Sequence, residues 1–200
     1  MGLFDGIKEI LGFGAETAAQ KEADPEDLFG MSTAYLTMHA NLDFDAAAEA
    51  GLCFAGVDST DFAEAVENVE GIVKAGEGSA IAETHEDDHG YQWVVLEDED
   101  FEDLVVGVHA AADEFETRGY GPRLLAAVFG FERVDGTRAY WIYSFRRGSY
   151  YPFVPEGPNA RDNGVEFKLR SVLEGELDVE SDESYWYPLW PDSAGGHPWE

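Results

Sequence analysis

RLLAAVFGFERVDGTRAYWIYSF, residues 123–145, decides the fold. Two apolar runs, Arg123–Val134 and Thr137–Phe145, flank Asp135-Gly136. Asp-Gly between such runs is a strong hairpin signal. With those two residues as the loop, Val134 faces Thr137, Arg133 faces Arg138 and Gly130 faces Trp141. Like charges directly opposite one another are destabilising, so this register asks for an anion nearby.

Two weaker strand pairs precede the hairpin. Ala34–Ala40 and Gly51–Val57 read as strands, as do Ser79–His85 and Tyr91–Leu96. A helix pattern follows each pair. One opens at Ser59 or Thr60 and aligns Phe62, Val66, Val69 and Val73. The next aligns Phe101, Leu104, Val105, Val108, Ala111, Ala112 and Phe115, with Gly119 as its stop. After the hairpin and a Pro-rich connection, Val165–Leu173 reads as a third helix. The pattern is about three ββα units, which predicts an α+β fold with a mainly antiparallel sheet and helices on one face. Residues 1–13 read as a short amphipathic helix with Leu3, Phe4, Ile7 and Leu11 on one side. Residues 14–30 read as a linker, and Asp24-Pro25 near its end is a helix-start signal. Residues 31–200 then form a single domain. Its acidic, aromatic tail, 174–200, is expected to dock on the domain itself or on a partner, because exposed Trp clusters are costly.

Composition narrows the function. The chain has 200 residues, 42 acidic and 12 basic, for a formal net charge of −30. Hydrophobic residues at 44% supply a core, which excludes global disorder. The acidity disfavours nucleic acid, whose non-specific binding runs on Lys and Arg. No apolar run nears the roughly 20 residues of a membrane span. The first residues lack a basic region followed by a long apolar stretch, so no secretory signal is expected. A single cysteine, Cys53, leans to the cytoplasm and reads as a small buried hydrophobe. Self-repulsion of this size suits a salt-loving cytoplasmic protein, since at about 1 M salt the Debye length is only about 3 Å. An acidic protein that binds or mimics a polycation is the competing explanation.

The charge is uneven. All eight arginines and Lys168 lie between residues 118 and 170, against five acids, giving +4 there and −34 elsewhere. Eleven of the 27 aromatics share that window. Guanidinium groups stack on rings and grip carboxylates in pairs. The candidate partner-binding residues are therefore Arg123, Arg133, Arg138, Arg146, Arg147, Tyr150, Tyr151 and Phe153. The alternative is that these arginines pair with the protein's own acids and tie down the tail.

Two further sites compete with it. His85-Glu86-Asp87-Asp88-His89 satisfies H-E-x-x-H, a zinc-hydrolase string. That chemistry needs a helix, where i and i+4 place both imidazoles on one face. Here the string falls between two strand patterns and reads as a solvated turn. A metal-dependent hydrolase using His85, Glu86 and His89 is thus an alternative, with metal ligation by His85 and His89. An anionic small-molecule sensor using the arginines is another. His39 reads as a strand residue and His109 as a core-boundary histidine. Residues 1–13 could touch a membrane interface, though their net charge of −1 gives no attraction to anionic lipid and Gly6 breaks the myristoylation pattern.

Several phrases in order carry a resemblance: Asp27-Leu28-Phe29-Gly30-Met31-Ser32-Thr33-Ala34, Gly90-Tyr91-Gln92-Trp93-Val94-Val95, Gly119-Tyr120-Gly121-Pro122-Arg123-Leu124-Leu125, Tyr143-Ser144-Phe145-Arg146-Arg147-Gly148-Ser149-Tyr150-Tyr151-Pro152-Phe153 and Trp186-Tyr187-Pro188-Leu189-Trp190. Across roughly residues 25–191 the chain resembles the PspA-associated PspAB family. The resemblance implies a cytoplasmic, non-enzymatic adaptor of the phage-shock-type envelope stress response, at most peripheral to the membrane. It implies a PspA-like coiled-coil partner, a neighbourhood with a membrane metalloprotease of the HtpX type, and no cofactor.

Overall fold

A computed structural model describes residues 23–75, 81–86, 90–157 and 160–190. The amphipathic segment 1–13, most of the 14–30 linker, His89 and residues 191–200 lie outside the described residues.

Among the described residues six strands form one antiparallel sheet: β1 Phe44–Ala55, β2 Ile81–Glu86, β3 Tyr91–Glu97, β4 Leu124–Arg133, β5 Arg138–Ser144 and β6 Ser149–Phe153. Their order is β2-β3-β1-β4-β5-β6. Four helices of the described residues, α1 Gly30–Leu42, α2 Thr60–Ala75, α3 Phe101–Thr117 and α4 Asn163–Leu173, pack into one core on a single face. The architecture is α+β, as the sequence pattern implies.

Local chemistry explains most boundaries. The Asp24 carboxylate accepts from Glu26 N at 3.0 Å and starts a 3-10 turn, Pro25–Phe29, which buries Leu28. Residues 25–29 are therefore packed structure and not linker. Ser59 Oγ accepts from Phe62 N at 3.2 Å, so α2 opens where a cap was expected. Gly119, at φ +81, ends α3. Its N–H reaches Glu116 O at 2.9 Å while Tyr120 N reaches Phe115 O at 2.7 Å. That bond pair is a Schellman motif.

Four details differ from the sequence reading. Ala34–Ala40 is helical, because Met31, Ala34, Met38 and Leu42 recur at helical spacing and are all buried. Its Tyr and Thr suggested a strand, but the buried stripe decides. His39 is accordingly on α1, with Nδ1 2.8 Å from Asp45 Oδ1. β1 starts at Phe44, seven residues before the expected strand, because Asp45–Ala50 has little β propensity and carries a register shift. β6 went unread because Pro152 sits inside it. Pro152 is tolerated because β6 is last in the sheet order.

The hairpin loop has three residues, Val134-Asp135-Gly136, not two. Gly136 N donates to Arg133 O at 2.8 Å, Arg133 N donates to Thr137 O at 2.9 Å, and Gly136 takes φ +82. The Asp135 carboxylate holds this turn by accepting from Thr137 N at 3.0 Å and from Arg133 Nη2 at 2.8 Å. The Thr137 hydroxyl and N–H, with Arg133, keep its carboxyl below the usual value. The shift sets Glu132 opposite Arg138 and Gly130 opposite Tyr140. Arg133 and Arg138 therefore do not oppose each other, and the expected repulsion is absent. A one-residue shift also exchanges faces. Trp141 enters the helix-side core, where its indole N–H meets Met38 Sδ at 3.1 Å, and Tyr140 faces the other way.

The helix layer sits close to the sheet. At Gly107 of α3 a Cβ would lie 2.5 Å from Leu96 Cδ2 on β3. Gly107→Ala is expected to destabilise by about 1 kcal/mol net, because overpacking costs about 1–3 kcal/mol and helix propensity returns up to about 1. Urea unfolding at fixed KCl measures this.

Candidate functional site

The second face of the sheet carries a smaller core: Cys53, Trp93, Val95, Leu125, Val128, Tyr140, Ile142, Tyr151 and Phe153. No helix covers it. Trp186, Leu189 and Trp190 of the tail do, each no more than 9% exposed. The Trp190 ring meets Phe153 edge-on at 4.9 Å.

Arginines fasten this cover. The tail first extends the sheet beyond β6, with Tyr150 N donating to Asp178 O and Glu180 N to Tyr150 O, both at 2.8 Å. Arg147 Nε then donates to Glu180 Oε2 at 2.7 Å, and its guanidinium lies 3.9 Å from the centre of the Tyr185 ring. The Glu180 carboxylate raises the Arg147 pKa further. Arg170 Nη1 bonds Glu183 at 3.2 Å. Arg161 reaches Trp186 O at 2.7 Å through Nη1 and Pro152 O at 3.3 Å through Nη2. Its Nε lies 2.8 and 2.9 Å from the two oxygens of Glu166. Burial pushes the Glu166 carboxyl up, with Arg161 and Val154 N–H acting against the shift.

The eight proposed binding residues do not share one surface. Tyr150 faces the helix side, where its hydroxyl donates to Asp27 O at 3.2 Å. Tyr151 and Phe153 face the tail side. All three rings are at most 2% exposed and serve the chain's own cores, and burial raises both tyrosine pKa values. Alternation along a strand makes Tyr150 and Tyr151 point apart. Arg133 and Arg138 stand at one end of the β4–β5 hairpin, Arg123, Arg146 and Arg147 at the other. Arg133 bonds Asp135 and lies 5.1 Å from the Phe44 ring centre. Arg138 lines a cleft of about 230 Å³ with Glu49, Gly130 and Tyr140. Arg123 and Arg146 are exposed, and neither forms an ion pair among the described residues.

His85 and Glu86 are adjacent on strand β2, so they alternate across the sheet rather than sharing a helix face. Among the described residues no group of three His, Cys, Asp or Glu is placed to hold a metal. Sequence reasoning missed Glu166, Glu180, Arg161 and Arg170. Glu166 was legible: with Leu169 and Leu173 it occupies the buried stripe of α4, a carboxylate at an apolar position.

No helix among the described residues is long and apolar enough to cross a membrane. No curated protein and no solved structure matches the chain. A family model does, over residues 1–199, nearly the whole length, and its description is PspA associated protein B. The chain belongs to the PspAB family.

Proposed function

We propose that the chain is a non-enzymatic accessory of the PspA envelope stress response, acting in the cytoplasm by contact with a PspA-type coiled coil. The family description carries the association with PspA. The contact is assigned to Arg123 and Arg146, which stand at one end of β4 and β5, as the Phe145 N to Leu125 O bond of 3.1 Å indicates. Both are exposed, while Arg147 beside them is engaged with Glu180. Two guanidinium groups with no ion pair among the described residues suit carboxylates on a partner. Tyr150, Tyr151 and Phe153 leave the proposed surface, since their rings hold the chain's own cores together.

The charge of −34 outside the arginine window supports a working environment of molar salt. The test is recovery of PspA with the tagged chain at about 1 M KCl. Arg123→Glu with Arg146→Glu is expected to weaken recovery about tenfold at unchanged melting temperature. No PspA with the wild type overturns the accessory reading. Full recovery with the charge-reversed variant overturns the arginine contact alone.

A further inference from the structure

Large exposed apolar side chains among the described residues are Phe29, Leu36, Ile72, Val106, Val134 and Phe167. Three of them frame one seam. The Phe29 ring lies 4.3 Å from that of His109, and Tyr35 lies 4.8 Å from Phe101. α1 with its leading turn therefore runs antiparallel to α3. Leu36 follows Phe29 by seven residues, two turns along the same face. Val106 lies three residues, about one turn, before His109. Phe29, Leu36 and Val106, 38%, 63% and 52% exposed, thus stand along the α1–α3 seam on the outer side of the helix layer.

The surroundings of this seam are unusual for the chain. Charged residues make up 27% of the sequence, yet α1 has no Asp, Glu, Lys or Arg across its 13 residues. A helix without a charged side chain is a departure in a protein of net charge −30. The rim is not neutral: Glu102 and Asp113 are exposed beside the seam, Glu26 is exposed with its Oε1 3.2 Å from His109 Nε2, and neither α1 nor α3 contains Lys or Arg. Apolar centre and acidic rim define the complement. It is an amphipathic helix whose apolar anchors recur at i, i+3, i+4 and i+7, flanked by basic residues.

We propose that the α1–α3 seam is a docking site for a basic amphipathic helix of a second protein, seated on Phe29, Leu36 and Val106. A second copy of this chain brings the same acidic rim and is repelled. The chain's own residues 1–13 carry a net −1 and offer the rim only Lys8. The proposal is independent of the arginine contact, which lies on a different element.

The probe is a pair of labelled peptides of about 18 residues, five turns, with identical leucine stripes and either lysine or glutamate flanks. Fluorescence anisotropy is read at about 1 M KCl, where contact pairs survive and long-range attraction is screened. The full chain is expected to bind one lysine peptide saturably and the glutamate peptide at least about tenfold more weakly. Leu36→Asp with Val106→Asp is expected to weaken the lysine peptide about tenfold or more. Both sites are exposed, so the urea midpoint should stay put. Equal binding of the two peptides, or full binding by the double variant, overturns the proposal. So does lysine-peptide binding that emerges only when residues 1–13 are removed, since the occupant is then the chain's own segment. Concentration-dependent dimerisation abolished by Leu36→Asp also overturns it, in favour of a second copy.

Discussion

Truncating Trp186 to alanine is expected to destabilise the protein by about 3–5 kcal/mol, the range for a large ring removed from a packed core. Trp186 is 4% exposed and donates its indole N–H to Glu180 O at 3.0 Å. Its carbonyl accepts from Arg161, and its ring lies 6.0 Å from Phe167. The substitution therefore leaves a cavity and loosens the strip that covers the second face. Tyr185→Ala is the comparison. That side chain is only half-buried and its main contact is the stacked Arg147 guanidinium, worth about 1 kcal/mol. Urea unfolding of both variants at fixed KCl separates the two. A loss below about 1 kcal/mol for Trp186→Ala would mean that the tail rests on the sheet without holding it.

The value of this cover follows from the sheet itself. Strands buried on both faces lose the alternation that betrays a half-exposed strand. β4 has eight consecutive buried residues and β5 six. The helices bury one face, so the other needs material from elsewhere in the chain. The tail supplies it as Trp186-Tyr187-Pro188-Leu189-Trp190, a segment with no regular structure in its last residues. Arginines do for this segment what backbone ladders do for a strand: they satisfy its carbonyls and pin its acids.

Much of this was legible in the residues. The apolar stripes of α2, α3 and α4 stand where their spacing puts them, and Ser59 and Gly119 mark real ends. The faults are local and physical. Asp-Gly fits a two-residue turn, yet the β4–β5 loop is one residue longer, because Asp135 folds back on Thr137 and Arg133. That single residue exchanged the faces of Trp141 and Tyr140. α1 was misread because Tyr35, Thr37 and His39 obscure a four-residue buried stripe. Composition singles out the arginine–aromatic window. Composition could not say that Tyr150 faces the N-terminal turn, or that Arg147 answers to Glu180, 33 residues away. Such pairings are set by topology, and a charge count holds no record of them.

Arg161→Ala carries the second large effect and the clearest pH signature. Glu166 is 1% exposed, and Arg161 lies 2.8 Å from it. Removing one member of a buried ion pair leaves the other uncompensated, which costs about 3–5 kcal/mol. The same change frees Trp186 O and Pro152 O, so the loss combines charge and latch. Acid separates them. The folded Glu166 pKa already lies above its ordinary 4.5. The native state thus holds its proton more tightly than the unfolded chain. Between the unfolded and folded values, stability from this group falls as pH rises and returns as pH falls. Arg161 restrains that rise, so its removal moves the folded pKa higher and widens the window upward. The difference between wild type and Arg161→Ala should therefore be largest near neutrality and shrink towards about pH 5. Comparing the variant with wild type at each pH cancels the relief of overall charge repulsion common to both. Arg161→Ala with Glu166→Gln should recover part of the neutral-pH loss and flatten its pH dependence. A difference independent of pH, with no recovery in the double variant, would assign the effect of Arg161 to the Trp186 and Pro152 carbonyls and the Phe153 ring 5.2 Å away, not to the buried charge.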